Sequence, residues 1–382
     1  MERVDRRDFL KKAALGAAGA TVVGACGDGD SPGVVASAEA AAVQGPEISW
    51  RMATSFPPSL DILHGAAERI AERVSQLTGG RFRIRVYAAG EIVPALQVMD
   101  AVQQGTVQTG LTAGYYYIGK SPALAFDATV PFGLTARQQV AWLFHGGGLE
   151  LLEGVYGDFG IVPMPAGTTG AQMGGWFREP VNSLADLQGL RFRIPGIGGE
   201  IMTRLGASVQ VLGGPEIYPA LERGAIDAPE WVGPYDDEKL GFHEIASNYY
   251  LPGWWEPGAS MSLQVSKAAY DELPESYQAL LRTAATESYL DMLARYDAEN
   301  PKALARLVND HGVQLRTFSD DILDAAWTES NAYLEEMTSG DATVRAVYDS
   351  WKAFRDTSFP FFAGNEQNFA RAAFGRIANP FM

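Results

Sequence analysis

Two glutamates and one arginine carry most of the chemistry that this 382-residue sequence offers. Glu230 follows a run that reads as a buried strand, within Asp227-Ala228-Pro229-Glu230-Trp231-Val232-Gly233-Pro234. Glu256 stands in Gly253-Trp254-Trp255-Glu256-Pro257-Gly258. Loops of Trp, Pro and Gly are a usual way to hold a charge near a cleft. A pair of such acids can work as general acid and base on a sugar, ligate a hard cation, or be ordinary solvated loop acids. Spacing alone does not choose among these. Arg193 ends the strand Arg191-Phe192-Arg193-Ile194 and is followed by Pro195 and a glycine turn into a helix. Alternation puts Arg191 and Arg193 on one face. A guanidinium at a strand's C-terminal end, beside a helix N-terminus, can fork onto a carboxylate. The plain alternative is a surface arginine on an edge strand.

Other chemistry finds little support. His64, His145, His243 and His311 are scattered, with no HExxH spacing, and no G-x-S-x-G elbow is present. The single cysteine, Cys26, leaves no internal disulfide and no cysteine-ligated zinc. Gly114-Tyr115-Tyr116-Tyr117-Ile118-Gly119-Lys120-Ser121 matches the letters of a P-loop. A loop that wraps phosphate with backbone amides needs small residues, and three tyrosines and an isoleucine fill this one. The expectation is a tyrosine lining a cleft.

The formal charge is −16, and removing the five basic and three acidic residues among the first 25 leaves −18. So acidic a surface repels phosphate backbones and excludes nucleic acid as a partner. It also fails to attract an organic acid, so such a ligand needs a local cation, from arginine or metal. Residues 1–26 read as an export signal: a basic start with Arg6-Arg7, a short apolar stretch, then Val23-Gly24-Ala25-Cys26. The arginine pair resembles a twin-arginine signal, and the cysteine segment resembles a lipobox that would anchor the mature chain through Cys26. Residues 27–46 have the composition of a flexible tether.

The elements that must position these residues can be read from periodicity. Leu63, Ala67, Ile70, Val74 and Leu77 fall at helical spacing before Gly79-Gly80, and Phe82, Ile84 and Val86 alternate as a strand. A helix from about Pro94 to Gln104, then a strand over Val107 to Leu111, completes a βαβαβ reading. Gly189 to Ile194 reads as a further strand, and helical periodicity covers 266–296, 300–309, 319–338 and 341–354. The stretch Asp100 to Gln108 is echoed by Pro219 to Asp227: a helix end, a glycine stop, then a buried strand. Two such units suggest two lobes of like construction. The Phe-rich tail from Phe359 either packs on its own body or clasps a second subunit.

Four segments together resemble the solute-binding proteins of tripartite ATP-independent periplasmic (TRAP) transporters, DctP type, of the branch binding 2-oxo acids or lactate with a metal ion. They are Thr169 to Phe177, Leu190 to Gly196, Pro229 to Asp237, and Trp254 to Gly258. The resemblance implies an α/β, two-lobed periplasmic binding protein fold with a hinge, a long bracing helix and a helical C-terminal region. It places lobe one at 47–166 plus about 251–285, lobe two at 167–250 plus about 286–340, and a helical tail at 341–382. It implies that Arg193 pairs with the ligand carboxylate, with Gln172, Trp231, Phe56 and Tyr116 also at the ligand. It implies a metal, Na⁺ or Ca²⁺, held by Glu230, Glu256, Gln172 and the Trp231 carbonyl. No organic cofactor and no catalysis are implied. The partners would be a small organic acid, the transporter's membrane components and a second copy joined through the C-terminal helices, all in the periplasm. A sugar acid bound without metal, or a carboxylate-dependent hydrolase, are the alternatives.

Overall fold

The structure, a computed structural model, describes residues 42–377. The twin-arginine and lipobox motifs lie outside the described residues. The last residues of the expected tether lie against the body: Val43 N–H donates to Leu77 at 2.8 Å, and Tyr277 donates to the Pro46 carbonyl at 3.2 Å.

The strands are β1 (Ile48–Thr54), β2 (Phe82–Tyr87), β3 (Thr109–Thr112), β4 (Ile161–Thr168), β5 (Trp176–Phe177), β6 (Arg191–Arg193), β7 (Ser208–Gln210), β8 (Ala228–Pro229), β9 (Asn248–Leu251), β10 (Ser260–Ser266) and β11 (Gln314–Thr317). One sheet has the order β2-β1-β3-β10-β4. Its parallel β2-β1-β3 part is the βαβαβ unit, with Ala67, Ile70 and Val74 of the Leu63–Leu77 helix buried against it. Parallel neighbours need crossover helices, which fixes this half from local pattern. β10 then enters antiparallel between β3 and β4, from some 150 residues downstream of β3, which no local pattern announces. The other lobe holds two short sheets, the all-parallel β7-β6-β8 and the mixed β11-β9-β5.

The echoed segments superpose in function as well as in letters. Gly105 and Gly224 take left-handed φ values of +70° and +68°. In the first unit Thr106 and Val107 donate back to the Ala101 carbonyl at 2.9 and 3.3 Å. In the second, Ala225 and Ile226 donate back to Ala220 at 2.8 and 3.3 Å. Each unit then delivers a strand that pairs parallel with its sheet's interior strand, β3 on β1 and β8 on β6. These back-bonds also explain why β3 starts at Thr109 rather than Val107. Likewise β6 is shorter than expected, because Leu190 N–H is spent on the Leu187 turn at 3.2 Å.

The helices differ from expectation in the C-terminal half. A short helix, Lys267–Asp271, breaks before Pro274, and one 35-residue helix, Glu275–Asn309, then runs unbroken through Pro301. Proline inside a helix forfeits one N–H, and tertiary bonds on the surrounding turns hold this one. Tyr296 donates to Asp236 at 2.7 Å, Asn300 accepts from Tyr235 N–H at 3.1 Å, and Arg306 pairs with Glu238. This helix packs on β4 and on the Leu63–Leu77 helix of lobe one, and also on the Pro234–Leu240 helix of lobe two, so it braces both lobes. The Ala342–Phe362 helix then returns to lobe one, burying Val344, Val347, Tyr348 and Trp351. At its end Phe361, and beyond it Phe369, Phe374 and Ile377, are exposed. The tail thus divides: its first half packs on its own body and its end does not.

At Gly105 and Gly224 a Cβ would meet nothing within 4 Å, so only backbone strain opposes a side chain. Gly105→Ala and Gly224→Ala should each cost about 1–2 kcal/mol in urea unfolding, with similar losses at both sites. A marked inequality between them would show that the two units are not structural equivalents.

Candidate functional site

The two crossings between the sheets, β4 to β5 and β9 to β10, run side by side. Gln172 N–H donates to the Glu256 carbonyl at 3.1 Å, Gly253 N–H to the Gln172 carbonyl at 2.9 Å, and Thr169 N–H to Ala259 at 3.0 Å. These bonds fix Gln172 and Glu256 beside each other at the hinge. Glu230 is set by its own N–H on the Arg193 carbonyl at 3.1 Å, at the exit of β8 beside β6. Gly175 lets this happen, since its φ is +88° and a Cβ there would meet Pro229 O at 2.8 Å.

Arg193 is only 1% exposed, which removes the edge-strand alternative, whereas Arg191 on the same face is exposed and paired with Asp227. Arg193 Nε donates to Leu212 O at 3.0 Å and Nη1 donates to Glu230 O at 2.8 Å and to the Glu230 carboxylate. Its guanidinium lies 5.1 Å from the centre of the Trp231 ring. Nη2 remains buried without a partner, and so do Gln172 Oε1, Glu230 Oε2 and Glu256 Oε2. Gln172 is oriented by its Nε2, which donates to Thr169 Oγ1 at 3.1 Å.

A cavity next to these groups is walled by Phe56, Tyr115, Tyr116, Gln172, Arg193 and Trp231, completed by Leu63, Val232 and Met261. Its room for water-sized spheres is about 10 Å³, enough for roughly one water. Phe56 from lobe one meets Trp231 from lobe two edge-on at 6.5 Å. Glu230 and Glu256 stand beside this wall, not in it. Burial raises the Glu230 pKa, against the opposing charge of Arg193. Burial and then the Glu230 charge push Glu256 well above the carboxylate range. Tyr115 lies beside Glu256, and its phenol is raised well above normal, first by burial and then by that carboxylate.

All seven residues singled out from sequence, Phe56, Tyr116, Gln172, Arg193, Glu230, Trp231 and Glu256, therefore gather here. Sequence reading left Tyr115, Tyr116 and Tyr117 all open as the cleft tyrosine and carried only Tyr116 to the ligand; Tyr115 is the member next to Glu256. The triplet was the signal, but only the Gly114–Tyr117 turn decides which rings face the cavity. Tyr117 turns away to Thr112 Oγ1 at 3.0 Å. Gly114 can hold no phosphate cradle, because a Cβ there would lie 2.4 Å from Leu124 O. Asp237 was missed. It accepts Trp176 Nε1 at 2.9 Å, Tyr249 OH at 2.7 Å, and the Val232 and Gly233 N–H groups at 3.2 Å each. It thereby pins the segment that carries Glu230 and Trp231. His243 and His311, distant in sequence, meet at 4.3 Å with their rings tilted by 57°, elsewhere in the fold.

Among the described residues no three of His, Cys, Asp and Glu gather as a metal site. The groups here are instead two carboxylates and an amide, each with a buried, unpartnered oxygen. Hard oxygens of that kind fit a sodium or calcium ion and not a thiophilic or imidazole-seeking metal.

Residues 53–341 match the bacterial extracellular solute-binding proteins, family 7 (DctP). Over 371 residues, 96% of this chain and 99% of the relative, the sequence is 50% identical to a monocarboxylate 2-oxoacid-binding periplasmic protein of Nostoc sp.. It is also similar to a TRAP transporter solute-binding protein of Bordetella bronchiseptica, a dimer with copurified calcium and picolinate in one site. That match has a TM-score of 0.85 and 44% identity, covering 87% of this chain and 99% of the other. A TRAP periplasmic solute-binding protein of Pseudoalteromonas atlantica with bound sodium and pyruvate gives 0.83 and 37%, covering 85% and 99%.

The stitched crossings generate a test. A Cβ at Gly253 would lie 2.6 Å from Met173 O and 2.8 Å from Gln172 O, both backbone atoms. Gly253→Ala should therefore cost about 1–3 kcal/mol in chemical denaturation. A variant as stable as its parent would mean that the crossings tolerate separation.

Proposed function

Because the chain belongs to the bacterial extracellular solute-binding proteins of family 7, TRAP-transporter binding proteins and not enzymes, we propose that it captures a small 2-oxo or 2-hydroxy monocarboxylate. The observation that carries this reading is a set of four unpartnered buried atoms, Arg193 Nη2 and Gln172 Oε1 from residues of the cavity wall and Glu230 Oε2 and Glu256 Oε2 from residues beside it. In this reading Arg193 Nη2 donates to the ligand carboxylate, a charge-assisted bond in a dry site. Gln172, Glu230, Glu256 and the Trp231 carbonyl hold a sodium or calcium ion, which supplies positive charge to the carboxylate and the adjacent 2-oxygen. Holding the ion requires both glutamates ionised, and two such charges against one arginine would repel the anion unless the ion's own charge lies between them. Pyruvate and picolinate, the acids named for the similar structures, both carry a donor atom next to the carboxylate.

Capture follows as a hinge motion. Lobe one, 47–166 plus about 251–285, brings Phe56, Tyr115 and Tyr116. Lobe two, 167–250 plus about 286–340, brings Arg193, Glu230 and Trp231. A ligand that touches both favours the closed form, because it interacts better with that form than with the open one. The leader motifs support export by the twin-arginine route and a lipid on Cys26, leaving the body at the periplasmic face of the membrane beside the transporter's membrane components. The exposed Phe361, Phe369 and Phe374 on the 341–382 tail support a homodimer through the C-terminal helices.

Calorimetry with pyruvate, lactate and a sugar acid, with and without chelator, tests the ligand class. Pyruvate or lactate should saturate one site per chain only with sodium or calcium present; binding after complete metal removal would refute the metal bridge. Arg193→Ala should lose about 2–5 kcal/mol of binding, and unchanged affinity would remove Arg193 from the ligand. Light scattering should show a dimer that Phe369→Ser with Phe374→Ser converts to monomer; a monomeric parent would overturn the dimer.

A further inference from the structure

Asp61 sits between β1 and the Leu63–Leu77 helix, two residues before Leu63 of the cavity wall. Its carboxylate accepts Arg295 Nη2 at 2.8 Å and the Tyr235 hydroxyl at 3.2 Å, and pairs with Lys239 Nζ. Arg295 Nη1 also donates to the Asp61 carbonyl at 3.0 Å. Lys239 in turn lies 3.7 Å from the centre of the Tyr235 ring. One carboxylate thus joins lobe one, the brace and the Pro234–Leu240 helix of lobe two, which begins just after Glu230 and Trp231. Burial works to raise the Asp61 pKa, yet Lys239 and Arg295 outweigh it and hold the carboxyl below its usual value.

The remaining ion pairs of the brace each reach one lobe. Arg69–Asp291, Arg73–Glu287 and Arg282–Glu153 tie it to lobe one, and Arg306–Glu238 ties it to lobe two. Among the described residues, Asp61–Lys239 is the one ion pair that runs from the chain before β4 directly to the chain between β5 and β9. It is a direct charge contact between the two lobes.

We propose that Asp61 is a positioning residue for capture, a latch across the cleft rim that holds the lobes closed over the ligand and slows its release. The inference rests on the two-lobed capture reading. An exposed ion pair alone contributes little. Here one carboxylate gathers two cations and a phenol, and its backbone leads straight into the cavity wall. Arg295 stays with Asp61 through the brace, whereas Lys239 and Tyr235 reach it from the other lobe only on closing, so the latch favours the closed form and leaves the open one untouched. Partly exposed charges are also screened, so the latch weakens as salt rises.

Stopped-flow release of pyruvate in calcium tests this, with tetramethylammonium chloride as the screening salt so that sodium does not enter the site. Asp61→Asn should raise the release rate about 5–20-fold with the association rate little changed, since related complexes differ mostly in release. Raising the salt from roughly 20 to 300 mM should speed release from the parent but not from the variant. Lys239→Met should release faster too, and the double variant should be no worse than Asp61→Asn alone. Spin labels on Gln97→Cys and Glu222→Cys, one on each lobe, give a readout in ligand-free protein. Asp61→Asn should lower the population of the short distance. Release within twofold of the parent, additive variants, or identical label distances would overturn the latch. If the parent binds no pyruvate, the ligand class is wrong, and the label distances still decide the latch.

Discussion

The charge balance of one dry pocket governs the rest of the molecule. Arg193 and Glu230 are each 1% exposed, and Glu256 is 3% exposed. Removing ions from water is expensive, and mutual attraction repays it only when the geometry is good and the spare hydrogen-bonding positions are filled. Arg193 and Glu230 meet that demand in part, through two bonds from one nitrogen. Glu256 has no cation of its own, which is why burial and Glu230 together press it toward the protonated form. A pocket of two acids and one base thus leaves Arg193 Nη2, Glu230 Oε2 and Glu256 Oε2 buried without partners.

The scaffold supplies that pocket from the crossings between its lobes and the strands beside them. Gln172 and Glu256 belong to the crossings between lobes, and backbone bonds between those crossings hold the two side chains in register. Arg193 and Glu230 come from adjacent strands of lobe two, and Asp237 locks the loop behind them with four donors. The side chains proposed to meet the ligand and the residues of the crossings are thus in part the same. A change that moves one crossing relative to the other moves donor atoms in the site.

The repeated helix–glycine–strand unit explains how two lobes come to face one cleft. In each lobe it ends at the edge of the cavity, with the tyrosine turn after β3 and the Glu230–Trp231 loop after β8. The brace then limits how the lobes can separate, being pinned to lobe one along its first half and to lobe two along its second. Its unbroken passage through Pro301 shows tertiary bonds overriding a local helix breaker, as propensity alone does not decide a helix held from outside.

Local chemistry determined much of this protein from sequence alone. Alternation and helical spacing identified the βαβαβ half, and the Arg, Trp, Pro and Gly context around residues 193, 230 and 256 marked the charged groups, because those signals act within a few residues. The sequence could not place β10 between β3 and β4, choose Tyr115 as the ring beside Glu256, or bring His243 onto His311, since each depends on contacts far apart in the chain. Nor could it tell a buried Arg193 from an exposed Arg191 on the same strand face. Solvent exposure is a property of what packs above a residue, and only the closing of one lobe onto the other decides it.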